Sequence, residues 1–545
     1  MIFNIDVHCH SSSKAFMSGV GQPTKNPYQF FEFDLSHPIY QLLRKPIERL
    51  SHIRLATQSN FDSLYEGGIR VAMVSLTPME KAFTVLNQDQ DTWLKQFIKN
   101  VLREPSNYQE GFVGSKAINA LTGYHVNDIE GVKRLWYAIY HDLLKKEIKF
   151  LYDLKGELSP NKKYRLQFPA DYSELVELSN NPENLCILLS VEGAHSFGEN
   201  RVLPDIIDGR RNNHEKDTHN VLLAQEICKN IQDVKTNGQL RLHSVGLCHH
   251  FWNGLAGHCR SMDNLMSGIL NQEEGLNAPL MDTGRMVLDE MARTDYNGKS
   301  AKPIVIDIKH MSPQARKDFY NYRSLKKDIK ALPIFCSHTG VNMSFETLNE
   351  WIAYVKKNPK EKAGRKYEDG AYYLHEQSIN LCREDLCQIL DSKGLLGIQL
   401  DEKRIMGPFA FKELSKRSGE GKNDERKYVY AKCIWANIYA AIDELVLAGK
   451  NGKSAWDIFA IGSDFDGLIN HLDSFGSAAS MNGLKATMAY FLEEPEDIML
   501  FWKDEKTQYT ITVAQQTALQ QGISHTELIQ KLFQENAMKF LERTF

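Results

Sequence analysis

Histidines and carboxylates in this sequence recur at one kind of position, directly after a short apolar segment. The chain has 18 histidines, and several of them follow runs rich in Val, Ile and Leu. Imidazole nitrogens and carboxylate oxygens are common protein ligands of zinc and related metals. The pattern predicts a metal site built from segment ends, whose candidate ligands are His8, His10, Glu192, His310, His338 and one aspartate of the pair Asp464 and Asp466.

The first candidate feature is the sequence His8-Cys9-His10. Side chains two positions apart point to the same face of a strand, so the two imidazoles project together and Cys9 points the other way. Two adjacent imidazoles can hold one metal ion. The alternative interpretation is a pair of hydrogen-bonded histidines at a strand end.

Glu192, His310 and His338 each end an apolar segment and offer ligands for a second ion. A carboxylate is costly to bury unpaired, so Glu192 either forms a salt bridge or binds metal, with one oxygen available for each of two ions. One histidine from each of two neighbouring strands would complete the second site. His195, beyond the predicted strand end, is interpreted as a structural or supporting residue.

Two further positions have the chemistry of catalytic residues. Asp464 and Asp466 follow the last apolar segment, and either carboxylate could contact metal and water together as a general base. Alternation places both on one face and does not choose between them. His249 could donate a hydrogen bond to a carbonyl oxygen that becomes an oxyanion, or be a structural histidine. His250 is expected to face the opposite way if the strand continues.

Eight β-rich segments alternate with amphipathic helical stretches such as 283–293 and 384–392, which predicts a (β/α)8 TIM barrel. Barrel active sites lie at the C-terminal ends of the strands, where the candidate residues fall. A doubly wound open sheet is the rival fold, but its Gly-rich phosphate-binding turn is missing. The predicted strands are Ile2–His10, Gly67–Pro78, Asn184–His195, Leu240–His250, Lys302–His310, Ala331–His338, Gly394–Glu402 and Trp456–Gly467.

The connections between these segments are uneven, and together they predict one enlarged barrel over residues 1–545. The 105-residue connection 79–183 is expected to be a helical insertion beside the barrel mouth, with helices over 93–103 and 132–152. The charged stretches 356–366 and 412–427 are expected to be solvated loops. A capping-box pattern at Ser524–Glu527 predicts a helix over 528–541.

Composition excludes several classes of protein. The 545 residues are 42% hydrophobic and 25% charged, with 65 Lys+Arg against 69 Asp+Glu and a net charge of −4, so there is no basic surplus for nucleic acid. No apolar run is long enough to span a membrane. We expect no signal peptide, because residues 1–8 lack a basic and an apolar region. Nine scattered cysteines without a CxxC pair favour a reducing compartment, the cytoplasm.

The ordered motifs now carry a resemblance. Six motifs, in their order along the chain, resemble motifs of the amidohydrolase superfamily. They are HxH at 8–10, VEGAH at 191–195, LCHHFWN at 247–253, IDIKHMS at 306–312, FCSHTG at 335–340 and GSDFDG at 462–467. More closely, the chain is similar to the membrane (renal) dipeptidase family, the M19 metallopeptidases. Segments 282–319, 379–400 and 536–540 resemble further parts of that family, in the same order.

The resemblance implies a dipeptidase-like hydrolase with two Zn²⁺ ions, acting by attack of a metal-bridging hydroxide on a C–N bond. It assigns His8 and His10 to one zinc, Glu192 to the bridge, and the second pair of histidines, His310 and His338, to the other zinc. Asp464, matching the first Asp of the family's DFDG, becomes a metal ligand and the proton shuttle, and His249 matches the substrate-polarising histidine. The expected partner is a small molecule, a dipeptide or similar amide, with a homodimer as one option for assembly.

Two departures from the family keep other functions open. The family usually has HxD where this chain has HxH, and its substrate-binding Arg before an Asn is replaced by Ile379. Arg404 is a candidate substitute. The first alternative function is hydrolysis of a lactone, cyclic amide or phosphoester, and the second is a non-catalytic barrel whose insertion binds a partner.

Overall fold

Eight parallel strands form the centre of the molecule in the computed structural model, which describes residues 2–18, 25–30, 56–84, 138–198, 216–262, 270, 272–357, 372–417, 421–502 and 508–545. Neighbours in sequence are neighbours in the sheet, as a (β/α)8 barrel requires. The strands are β1 Asn4–Cys9, β2 Ile69–Leu76, β3 Asn184–Val191, β4 Leu242–Gly246, β5 Val305–Asp307, β6 Phe335–Thr339, β7 Leu395–Ile398 and β8 Phe459–Ile461.

The ring closes where the chain just beyond β8 meets β1. The Asp464 N–H donates to the His8 carbonyl at 2.9 Å, and the His10 N–H donates to the Phe465 carbonyl at 2.9 Å. Asp6 strengthens this closure, because its carboxylate accepts the Ser463 N–H at 2.9 Å and the Ser463 hydroxyl at 2.5 Å. The closure therefore brings candidate ligands from the two ends of the barrel sequence together.

Helices occupy the connections between strands. Several begin at the caps that their sequences predict; for example, the Ser524 hydroxyl accepts the Glu527 N–H at 3.2 Å. In the described residues the helices are α1 Ser13–Met17, α2 Phe61–Glu66, α3 Tyr140–Tyr152, α4 Tyr172–Ser179, α5 Lys216–Asn237, α6 Asp282–Ala292, α7 Pro313–Leu325, α8 Lys327–Ala331, α9 Leu348–Lys357, α10 Arg383–Asp391, α11 Glu402–Ile405, α12 Pro408–Lys416, α13 Asn423–Leu447, α14 Gly452–Ala455, α15 Met481–Glu493, α16 Val513–Leu519, α17 His525–Gln530 and α18 Asn536–Thr544.

Short strands also lie outside the barrel. Arg165–Gln167 pairs with the start of β3, and two antiparallel hairpins join Asp295–Tyr296 to Lys299–Ser300 and Ile498–Trp502 to Gln508–Ile511. In the part of the chain that the structure describes, no helix is both long enough and apolar enough to cross a bilayer.

The core has two layers. The larger layer packs the strands against the surrounding helices, and the smaller one fills the barrel with side chains such as Val7, Met73 and Leu188. Phe540 of α18 joins the inner layer, and the Asn536 amide donates to the carbonyls of Trp456 and Phe459 at the start of β8. α18 therefore covers the N-terminal end of the barrel, and the other end remains for chemistry.

All eight predicted strands are confirmed in order, although each is shorter than its apolar segment or shifted by a residue or more. The prediction of a loop over 412–427 is wrong, because α12 extends to Lys416 and α13 begins at Asn423; their apolar faces pack against the core. The insertion 79–183 stays a prediction. Its proposed helix over 93–103 lies outside the described residues, and α3 forms the end of the one proposed over 132–152.

Candidate metal centre

The six candidate ligands converge at the C-terminal end of the barrel, and all six are buried. His8 and His338 lie within β1 and β6, while His10 and Glu192 each come one residue after a strand. His310 and Asp464 have left-handed backbones, with φ of 67° and 60°. Such conformations are strained for non-glycine residues and concentrate at functional sites; here they turn the two side chains toward the others.

Glu192 lies at the middle of the cluster and presents one oxygen to each pair of imidazoles. Its Oε2 is 3.7 Å from His8 Nε2 and 3.2 Å from His10 Nε2. Its Oε1 is 2.8 Å from His310 Nε2 and 3.4 Å from His338 Nε2. The carboxylate can therefore serve two ions at once.

The first pair of imidazoles aims two ring nitrogens at one point. His8 Nε2 and His10 Nε2 are 3.2 Å apart, and Asp464 Oδ1 is 3.6 Å from the first and 3.4 Å from the second. Three sets of donor atoms could each hold an ion: His8, His10 and Asp464; His8, Glu192 and His338; and Glu192, His249 and His310. Nitrogen and carboxylate donors in these numbers fit zinc.

Electrostatics in the cluster favour charged carboxylates. Burial opposes ionisation, but the charges of His249 and His8 and hydrogen bonds from two further histidines hold the pKa of Glu192 well below its usual range. Burial also lowers the pKa of His8, but the charge of Glu192 together with hydrogen bonds to Asp464 and Glu192 outweighs it and raises that pKa to about 9. Burial dominates at His310 and lowers its pKa to about 3. The centre thus combines anionic carboxylates with a protonated His8 and a neutral His310; metal ligation requires neutral imidazole, so an ion bound at His8 must displace its proton.

Asp464 and Asp466 have different surroundings. Asp464 Oδ2 accepts a hydrogen bond from the Gln399 amide at 2.6 Å and lies 3.6 Å from His338 Nε2. Asp466 instead pairs with the Lys14 ammonium at 2.8 Å and accepts the N–H groups of residues 58 and 59 at 2.9 Å. The geometry places Asp464 in the cluster and Asp466 in a supporting ion pair.

His249 borders the cluster with its Nε2 3.5 Å from Glu192 Oε2. Its Nδ1 lies 2.8 Å from Oε2 of Glu80, a buried residue that sequence reasoning missed because it follows β2 without a recognisable motif. His250 does not face away as alternation predicted. β4 ends at Gly246, so strand alternation does not apply at His250, and its side chain lines the same cavity as His249. The centroids of the two imidazole rings are 3.8 Å apart.

A small cavity opens over the cluster. Besides the ligands, its walls include Lys309, Gln399, Asp401 and Arg404. Burial lowers the pKa of Lys309 to about 8, and its Nζ donates to Gln399 Oε1 at 3.4 Å. The Arg404 guanidinium donates to the Gln377 side-chain oxygen and the Ser261 carbonyl, both neutral acceptors.

Comparison with known proteins found likeness only among solved structures. No family model matches the sequence, and no curated protein matches it. A metallopeptidase from Rhodobacter sphaeroides, liganded with a phosphinate mimic of the dipeptide L-Ala-D-Ala, is 13% identical with a TM-score of 0.46, over 100% of this chain and 99% of that one. A dipeptidase of family M19 is 14% identical with a TM-score of 0.44, over the same shares.

A third structure is a probable dipeptidase from Pseudomonas aeruginosa. It is 12% identical with a TM-score of 0.39, over 93% of this chain and 99% of that one. All three proteins are metallopeptidases or dipeptidases by description.

Proposed function

We propose that this chain is a binuclear zinc-dependent hydrolase that cleaves a C–N bond, with dipeptides as its substrates. The observation that carries the proposal is the position of Glu192, whose two oxygens face two separate pairs of imidazoles. A carboxylate shared in this way is typical of two-metal sites. The choice of a dipeptide comes from the resemblance of the six sequence motifs to the M19 metallopeptidases.

Each residue has a part that its position supports. His8 and His10 would hold one ion, His310 and His338 the other, and Glu192 both. When bound, the ions lower the pKa of water and polarise the scissile carbonyl. Asp464 lies beside both pairs of imidazoles, where it takes a proton from the attacking water and returns it to the leaving nitrogen. His249 Nε2 is directed at the carbonyl oxygen.

A second substrate class is favoured by one observation. Arg404, the candidate for holding a substrate carboxylate, already donates to two neutral oxygens. A lactone, cyclic amide or phosphoester would not need that contact. Assay of simple L-L dipeptides against lactones, cyclic amides and phosphoesters separates the two proposals, and efficient dipeptide turnover removes the second.

Metal analysis of the purified protein tests the main proposal. We expect the natural chain to bind two equivalents of zinc. We expect the Glu192→Gln variant to bind fewer equivalents and to lose activity. The matched control is Glu444→Gln, because Glu444 of α13 is similarly buried but pairs with Arg383 of α10, away from the cavity. Less than one equivalent in the natural chain, or full activity in Glu192→Gln, would overturn the proposal.

We also propose a cytoplasmic location. All nine cysteines lie in the described residues and none forms a disulfide, which is typical of proteins in reducing compartments. Detection of the native protein after cell fractionation tests this, with a secreted product as the contrary result.

A further inference from the structure

Glu80 is a buried carboxylate beside the candidate site that the proposed mechanism does not use. It lies four residues beyond β2 and is 5% exposed. Its Oε2 is 2.8 Å from His249 Nδ1, and its Oε1 accepts the Phe251 N–H at 3.0 Å. Both contacts are to the segment that follows β4, so the carboxylate holds this segment at two points.

The two contacts require two acceptor oxygens. A backbone N–H can only donate, so Phe251 occupies one oxygen of Glu80 permanently. The other oxygen lies 2.8 Å from His249 Nδ1 as a close ion-pair contact, without the alignment of a hydrogen bond. An ionised carboxylate has no proton to donate, so this approach favours a proton on Nδ1 and leaves Nε2 for the cavity, 3.5 Å from Glu192 Oε2.

The surroundings of Glu80 keep this pair in place. The imidazole of His195 stacks on that of His249 with centroids 6.3 Å apart, and its Nε2 contacts the Pro78 carbonyl at 3.1 Å. Tyr140, at the start of α3, accepts the Lys81 N–H at 2.8 Å through its hydroxyl. Glu80 and Lys81 lie at the start of the long connection after β2 and Tyr140 lies further along it, so two parts of this connection pack beside the pair.

We propose that Glu80 is a positioning residue that fixes the proton of His249 on Nδ1 and directs Nε2 at the scissile carbonyl oxygen. The role of His249 in this statement rests on the proposed function. Glu80 itself does not line the cavity, so it would act on the substrate through the imidazole. Removing such a supporting carboxylate typically costs about 10–100-fold in activity.

The test is the Glu80→Gln substitution in the zinc-loaded protein, measured with a hydrolysed dipeptide. An amide has one acceptor oxygen where the carboxylate has two, so it cannot satisfy both Phe251 N–H and His249 Nδ1–H. We expect kcat to fall about 10–100-fold with KM and zinc content unchanged. Glu80→Asp, which keeps the charge, should recover part of kcat, and the buried control Glu444→Gln should behave like the natural chain.

A double-mutant cycle separates positioning from a general structural effect. In a His249→Gln background, Glu80→Gln should change kcat by less than about twofold, because the imidazole that Glu80 positions is already absent. An equal loss in both backgrounds would overturn the proposal.

A spectroscopic readout keeps this test independent of the substrate. In the protein labelled with ¹⁵N-histidine, the natural chain should show an Nδ1–H signal that His249→Gln removes and Glu80→Gln shifts or abolishes. If no C–N substrate is turned over, the proposed function fails, and the spectrum still decides whether Glu80 sets the proton of His249. A His249 signal that Glu80→Gln leaves unchanged would overturn the inference.

Discussion

Asp464 and Asp466 are two aspartates two positions apart that have different partners. Both have left-handed backbones, with φ of 60° and 68°, so the chain turns sharply and strand alternation does not apply. One carboxylate faces the imidazoles, and the other neutralises the buried ammonium of Lys14. Two identical side chains thus have different roles: Asp464 belongs to the candidate metal site, and Asp466 belongs to an ion pair that supports it.

We expect the Asp464→Asn variant to lose activity and the Asp466→Asn variant to lose stability. Asp464→Asn removes the proton shuttle, so kcat should fall about 10²–10⁴-fold while the free energy of unfolding changes little. Asp466→Asn leaves Lys14 buried without its counter-charge, which should cost about 3–5 kcal/mol while folded molecules stay active. Denaturant titration and activity per folded molecule check this, and the reverse pattern would exchange the two assignments.

Some residues of the candidate site could be predicted from the sequence, and others could not. His8, His10, Glu192, His310 and His338 could be predicted because each follows an apolar run. Glu80 could not, since its significance depends on a contact with a residue 169 positions later in the chain. The orientation of His250 was missed because the end of β4 is not marked in the sequence.

At the scale of elements, α3 brings a carboxyl group into the interior. Glu147 is 2% exposed and accepts a hydrogen bond from the Ser12 hydroxyl at 2.8 Å. Burial raises its pKa from 4.5 to about 7. α3 therefore packs against the segment after β1 through a carboxyl group that favours the neutral form.

We expect Glu147→Gln to stabilise the protein at alkaline pH. A pKa raised in the folded state contributes stability below the unfolded value of about 4.5, and this contribution is lost as the pH rises toward about 7. The amide cannot ionise, so its advantage should grow from near zero below pH 4.5 to at most about 3 kcal/mol above pH 7. Unfolding free energies measured across pH 4–8 check this; a constant difference would contradict it.

A second pair of elements is joined by a fully buried ion pair. Arg316 of α7 donates to Asp385 of α10 at 3.0 Å, and the Tyr320 hydroxyl donates to the same oxygen at 2.8 Å. Arg316→Met should lower the free energy of unfolding by about 3–5 kcal/mol, because Asp385 stays buried without its partner. The double variant with Asp385→Asn should lose less than the sum of the single losses. Chemical denaturation measures both, and simple additivity would contradict the coupling.

For the whole molecule, the barrel could be predicted because buried parallel strands are near-continuous apolar runs. The order of strands then follows from the chain, since consecutive strands of such a barrel are neighbours. The helices α12 and α13 could not be predicted, because the charged residues at their ends mask the apolar faces between them. The irregular register of β1 between Asp6 and Cys9 also has no local signal.

Metal binding should stabilise the whole molecule. An ion that binds only the folded state adds about 2.7 kcal/mol when its free concentration is 100 times Kd. We expect zinc to raise the unfolding temperature above that in a chelator, and the increase to be smaller in Glu192→Gln. Scanning calorimetry measures this, and an identical temperature with and without zinc would contradict it.

The closure between β1 and the segment beyond β8 has a consequence during synthesis. Asp6 and Ser463 are separated by 457 positions, and the histidines of β1 lie on one side of this seam while Asp464 lies on the other. At roughly 5–20 residues per second, a ribosome needs on the order of a minute to pass between them. For that whole period the nascent chain carries the imidazoles of His8 and His10 without Asp464, which comes near the end of the sequence. The proposed metal site is therefore completed only late in synthesis, and a prematurely terminated chain would keep an incomplete set of ligands.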